Sequence, residues 1–468
     1  LGGNANAFSA ASTTTVNAGG TLELGGFAQI INTLTLAGGA VQNGQLGGTI
    51  TSTGGTVSGV GGGANLTTTG GTTTLSGINS YTGATTINGG TLLGGNANAF
   101  SAASATTINQ NGTLDLGGLA QSINAVTLAG GTLTHGLLTG AITSTGGTIS
   151  TLGGSAALTT TGGTTTLIGA NSYTGPTNVN AGTLIVDGSA FSSTMTVKSG
   201  ATLAGSGTIG TTTIMNGGTF APGPVGAIGS MTVAGNLTFQ SGASYQVLVD
   251  PTHASSANVT ANQATLAGNV LATFAPGSYI TKQYTIMSAA SIDCAFDNLS
   301  TKNLPAGFTA NLSYGASDVY LNLTATLGAP SPSSPPSLAR ATLVDNAESG
   351  AKAINGYFNS GGALPANYLP LFGLTGSSLA NALMQLSGEA ATGAQQSAFR
   401  LTNLYLALML DPLVYGGGAA GGGGAPFGFG AGGTAMRLTA EEAQSPEIAL
   451  AYAKLLRSPA TPAAGFIP

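Results

Sequence analysis

The sequence predicts an all-β chain: a right-handed parallel β-helix (solenoid) with a C-terminal β cap, followed by a linker and short α-helical segments. Three observations carry that expectation. A 92-residue stretch is duplicated, glycine occurs 78 times in 468 residues, and only 5% of residues are charged. Ordinary globular chains hold about 7% glycine and about a quarter charged residues. The apolar fraction, 42%, is close to normal and is enough to fill a long core.

The duplication sets the first element, residues 1–218. LGGNANAFSAAS stands at 1–12 and again at 93–104. The same offset relates ITSTGGTVS at 50–58 to ITSTGGTIS at 142–150, and INSYTGATTINGGTL at 78–92 to ANSYTGPTNVNAGTL at 170–184. Aligned without gaps, 65 of 92 positions are identical. A closed core would not absorb so long an insertion, whereas a solenoid does, because each coil touches mainly its neighbours. Within each copy a finer pattern recurs: GGTLEL at 19–24, GGTVSG at 54–59, GGTTTLSG at 70–77 and GGTLL at 89–93. Each reads as a short strand of period two bounded by Gly-Gly or Asn-Gly turns. Helix periodicity is absent from this half, and the spacing of the strands predicts coils of two or three strands each.

From 219 to 327 the strands lengthen and aromatic residues gather, as in TVAGNLTFQSGASYQVLVD at 232–250. The end of a solenoid exposes unpaired strand edges, so this region is expected to be the cap. Its expected aromatic cluster contains Phe239, Tyr245, Tyr279, Tyr284, Phe308, Tyr314 and Tyr320. A Pro- and Ser-rich linker follows at 328–339. Residues 340–415 then place apolar side chains at helical spacing, with Leu379, Leu383, Leu386 and Ala390 on one face. A Gly-rich run and a helix from about Ala440 to Leu456 complete the chain over 416–468.

Charge excludes some functions. Nine basic residues and a net charge of −5 leave nothing to neutralise a phosphate backbone, so nucleic acid is not an expected partner. Before Lys198 the only charged residues are Glu23, Asp115 and Asp187. Glu23 and Asp115 are repeat-equivalent, which makes them one position on the coil and not an acid–base pair. The lone Cys294 has no partner for an internal disulfide and no flanking base to activate its thiol.

The order of parts resembles the autotransporters, the type V secretion family of Gram-negative outer membranes. GGTLEL at 19–24 and NSYTGATTINGGTL at 79–92 resemble passenger-associated β-strand repeats. APGSYITKQYTIMSA at 275–289 and NLPAGFTANLSYGASDVYLNL at 303–323 resemble the end of such passengers. LFGLTGSSLANALMQLSGEAATGAQQSAF at 371–399 resembles the segment leading into the translocator. The resemblance implies a surface-exposed passenger, a structural stalk with an adhesive role, exported through a C-terminal β-barrel that this sequence does not include. It implies an autochaperone-like role for 219–327 and a location at the outer membrane, the cell surface or outside the cell. The implied partners are the barrel translocator and surface glycans or host surfaces. Leu1 begins in mid-pattern, so the sequence is expected to be a fragment that lacks the family's leader.

The chemical motifs carry little. Gly205–Gly210 reads GSGTIG, but a strand pattern follows it where a dinucleotide site needs a helix. Asp250 and His253 in DPTH read as a turn between strands. His135 is equivalent to Asn43 and reads as a polar turn. No residue is assigned a catalytic, cofactor-binding or metal-binding role, and no cofactor is expected. The alternative is a β-helix glycan lyase or hydrolase, which needs two carboxylates facing one cleft or a base with a bound cation. A third reading, an ice-binding threonine ladder, needs Thr-x-Thr at constant coil spacing. The TTT runs at 67–69, 72–74, 159–161 and 164–166 are not so regular.

Overall fold

The structure is a computed structural model that describes residues 1–224, 226–251, 253–276, 281–328, 345–386, 398–403 and 405–406. The chain divides into two compact units, Leu1–Ala394 and Gln395–Pro468. Of the second unit, the described residues are helical. The linker from 329, Ala390, Tyr279 and the expected helix from Ala440 to Leu456 lie outside the described residues.

The first unit is a parallel β-solenoid. Thr13 stacks on Thr33, Thr49 on Asn65, Leu66 on Thr85, Thr85 on Thr106 and Ala105 on Ala125, each pair one coil apart. Two long strands, Ala28–Gly61 and Ala120–Gly154, run through several corners without losing their extended conformation. The Gly-Gly pairs make those corners. Gly54 and Gly55 have φ of 137° and 124°, and Gly146 and Gly147 have 139° and 126°. A Cβ on Gly55 would lie 2.3 Å from the carbonyl oxygen of Gly39 in the coil beneath. Only glycine combines that backbone with that approach, which explains the recurring GGT.

On this face the ladder carries Thr13 to the level of Ala105 in five coils. The 92-residue duplication is therefore a whole number of coils. Inside, aliphatic side chains stack on like neighbours, with Ile87 on Ile108 on Leu128 and Leu92 on Leu114 on Leu133. All six are fully buried. Each contributes about 1.5–3 kcal/mol relative to an exposed position.

Parallel pairing continues beyond residue 218, where the sequence pattern changes, and into the expected cap. Val270 stacks on Leu299, and the parallel ladder ends at Lys302. Coils lengthen here, as Leu237 pairs with Ala264 and Ala264 with Ile292. An aromatic cluster fills the wider section: Phe220, Phe239, Tyr245 and Phe296 lie with ring centroids 5.3–6.0 Å apart. Tyr284 and Phe308 are also buried, but Tyr314 is 39% exposed and Tyr320 bonds to Asp318 near the surface. These two tyrosines lie on an antiparallel hairpin, Phe308–Tyr314 with Asp318–Ala325, which turns the outward face of each strand to solvent.

Three helices complete the described part of this unit: α1 (Asp345–Asn359), α2 (Leu369–Phe372) and α3 (Gly376–Leu386). Phe358 and Phe372 close on Phe308 at 5.2 and 4.5 Å. Leu379 and Leu383 are buried, whereas Leu386 is 54% exposed. Of the expected stripe, the first two positions are therefore buried and the third is not.

Candidate functional site: a buried polar corner repeated along the solenoid

The NSYTG sequence forms a corner that ties successive coils together. Asn79 is buried, and its Oδ1 accepts from the Val60 N–H of the preceding coil at 2.9 Å. Its Nδ2 donates to the carbonyl of Ala99 in the following coil at 2.8 Å. One side chain therefore bridges three coils. Two residues on, Tyr81 points inward and is 1% exposed. Its hydroxyl pairs with Thr85 Oγ1 at 3.0 Å, and Thr85 pairs with Ser104 Oγ at 2.9 Å. Ser104 donates to the Gly83 carbonyl at 2.7 Å, and Ser101 donates to the Tyr81 carbonyl at 2.6 Å.

The second copy repeats the chain. Asn171 Oδ1 accepts from Leu152 N–H at 3.0 Å. Tyr173, Thr177 and Ser193 are linked at 2.8 and 2.8 Å, and Ser193 donates to the Gly175 carbonyl at 2.7 Å. Gly83 and Gly175 are required by close approach: a Cβ at either would sit 2.2 Å from the carbonyl oxygen of Ala64 or Ala156. Burial pushes the phenols of Tyr81 and Tyr173 up to about 12, so both remain neutral donors. Sequence reasoning had placed aromatic burial in the cap and missed these two tyrosines. The available signal was a serine about one coil after each Tyr-x-x-x-Thr, 19 residues in the first copy and 16 in the second.

On the outside, a column of threonine runs along the solenoid. Thr15 stacks on Thr35; Thr51, Thr67, Thr86, Thr107 and Thr127 follow one another; Thr143 stacks on Thr159. After Asn178 the column resumes through Thr196, Thr213, Thr238 and Thr265, and it ends at Asp293. The threonines are regular in space although irregular in sequence. The rank two residues before them changes from Thr13, Thr33 and Thr49 to Asn65 and then to alanine at 105, 125, 141 and 157. The column therefore stands beside further polar side chains in the first coils and beside methyl groups from Ala105 to Ala157.

The remaining candidates stand apart from these features. Gly205–Gly210 lies between the short strands Ala201–Gly205, Thr208–Ile209 and Thr212–Ile214. Asp250 bonds His253 Nδ1 in an exposed turn joining antiparallel strands. Asn43 and His135 share positive φ values of 56° and 57°. Glu23 and Asp115 hold the adjacent turn: each accepts from the backbone N–H two residues ahead, Gly25 at 3.1 Å and Gly117 at 2.8 Å. The Gln42 amide, helped by that backbone N–H, holds the Glu23 carboxyl below its ordinary pKa. His135 lies 3.3 Å from Asp115. Asp187 accepts from Ser206. Cys294 is exposed and free. Among the described residues, no group of three or more His, Cys, Asp or Glu could hold a metal ion, and no helix is long and apolar enough to cross a membrane.

The passenger-associated-transport-repeat family matches residues 68–93 and 158–186. Each match contains one buried corner, Asn79–Thr85 in the first and Asn171–Thr177 in the second. A comparison with curated proteins finds no match. The chain thus carries two passenger-associated transport repeats built into one parallel β-solenoid, an arrangement consistent with an autotransporter passenger region.

Proposed function

We propose that the chain is a surface-displayed structural stalk, exported through an outer-membrane β-barrel, and that its threonine column is an adhesive face for neutral glycans. The column is the observation that supports this reading. Its rungs repeat at about 4.8 Å, the spacing of neighbouring strands, and no lysine or arginine stands before Lys198. A sugar ring offers hydroxyls at its edge and C–H groups on its face. The hydroxyl column, with methyl groups beside it from Ala105 to Ala157, offers the complementary pattern, and each contact gains its strength from repetition along a polymer. The stalk is proposed to act without catalysis, because Glu23 and Asp115 are engaged in holding turns. The region 219–327 is proposed to serve as the cap on which earlier coils stack.

Retention of the purified chain on immobilised neutral polysaccharides is the direct test. Replacing Thr51, Thr67, Thr86 and Thr107 with valine, which keeps the β-branched shape and removes the hydroxyls, should abolish retention while circular dichroism stays unchanged. Retention that survives the four substitutions would remove the threonine column from the reading. Protease shaving of intact cells tests export separately: display requires the solenoid to be digested from outside.

A further inference from the structure

The turn between the strands Ser244–Asp250 and Ser255–Ser256 contains an Asp-Pro bond whose carboxyl is held by a histidine. Both sides of the turn are fixed. Val249 pairs with Ser256 and Asp250 with Ser255, and Ala257 N–H donates to the Leu248 carbonyl at 2.7 Å. Ser244–Val249 also stacks residue for residue on Asn269–Phe274. Pro251 is buried. His253 Nδ1 lies 2.5 Å from Asp250 Oδ2, and its side chain is 76% exposed.

An Asp-Pro bond places a nucleophile beside an amide that it can attack. The aspartate carboxyl reaches its own main-chain carbonyl by closing a five-membered ring, and such intramolecular attack gains greatly from proximity. The proline nitrogen is a tertiary amide without an N–H, so its departure needs a proton from elsewhere. Here His253 shares a proton with the carboxyl. The sequence has a second Asp-Pro bond, Asp411–Pro412, followed by Leu413 and Val414, and neither of the chain's two histidines is near it in sequence.

We propose that the chain cuts itself between Asp250 and Pro251. Asp250 Oδ1 forms a C–O bond to the Asp250 carbonyl carbon, closing a cyclic anhydride. The C–N bond to Pro251 breaks, and its electron pair takes the proton shared by His253 and the carboxyl. The hydroxyl of a water molecule then adds to one anhydride carbonyl. The two protons released as both carboxylates form go to His253 and to the prolyl amine. Each molecule reacts once, on itself, so the step needs no turnover of a substrate and does not rest on glycan binding. The products are 1–250, which carries both transport repeats, and 251–468. The ladders on either side of the turn keep the two pieces together after the cut.

Incubating the purified full chain at neutral pH tests this, with denaturing electrophoresis and mass spectrometry as the readout. Two fragments should accumulate with time, the second beginning at Pro251, while the native particle keeps its size. Asp250→Ala removes the nucleophile and should leave the bond whole. His253→Gln should slow scission by at least about a hundredfold, the lower end for loss of a positioned acid. Should either variant fail to fold, the parent chain in urea replaces it: without the turn, scission at Asp250 should fall to the rate at Asp411–Pro412. A folded parent that stays whole at Asp250 overturns the proposal. Equal scission at both Asp-Pro bonds of the folded parent, or parent-like scission in Asp250→Ala, overturns it as well. Parent-like scission in His253→Gln would remove the imidazole from the mechanism.

Discussion

Tyr81 and Tyr173 put the highest chemical demand on single residues in the repeats. Each buries a phenol whose hydroxyl is used within the corner. Their folded-state values, about 12, lie above the ordinary 10.0. The unfolded chain therefore ionises first as pH rises. The associated stability is complete below pH 10 and is lost between pH 10 and about 12. The loss amounts to roughly 3 kcal/mol per ring at most. Urea melts of the parent and of Tyr81→Phe/Tyr173→Phe over that range check this. The variant should be about 1 kcal/mol less stable per site at neutral pH and should show a flatter alkaline limb. Gly83→Ala tests the corner from the other side. With a backbone oxygen 2.2 Å from the new Cβ, overpacking should cost about 1–3 kcal/mol, read as a lower denaturation midpoint. An unchanged midpoint would mean that the coils do not close so tightly at Ala64.

At the scale of elements, the two regions of the solenoid hold together by different means. The repeats stack aliphatic residues and tie corners with asparagine, tyrosine, threonine and serine. The later coils are wider and are filled by Phe220, Phe239, Tyr245 and Phe296. Buried aromatics remove about 150–250 Å² each from water, whereas the glycine-rich coils lose more chain entropy on ordering. Limited proteolysis should therefore leave a core containing 240–325. Early loss of that segment while 1–184 persists would reverse the order of stability and remove the templating role proposed for the cap. The helical face in 340–415 was legible from its spacing as far as Leu383. Its partner was not, because the pattern of a helix shows that a face is apolar and not which ring it meets.

For the whole molecule, the consequence of a repeat equal to five coils is that length can change without a change of register. Deleting 93–184 removes whole coils on the threonine face and brings Leu92 to Ile185, just as Leu184 precedes it in the parent. The shortened chain should remain a folded β-solenoid with an unchanged far-UV spectrum per residue. Deleting 93–176 instead would break register and expose aliphatic residues, and it should aggregate. Equal behaviour of the two deletions would count against coil-by-coil stacking.

The sequence alone determined the solenoid class, the duplication, the positions of Gly-Gly turns and the resemblance of NSYTG to passenger repeats, because all of these are local or periodic signals. It also indicated that Asn43 and His135 share one turn. Tertiary structure decided what those signals are for. Coils differ in residue number, so the threonines looked irregular along the chain, yet strand pairing matches rungs and not residue counts, and the corners absorb the difference. The same holds for Asn79 and Asn171. Their roles depend on backbone groups 19 residues away, brought within reach only when neighbouring coils are packed.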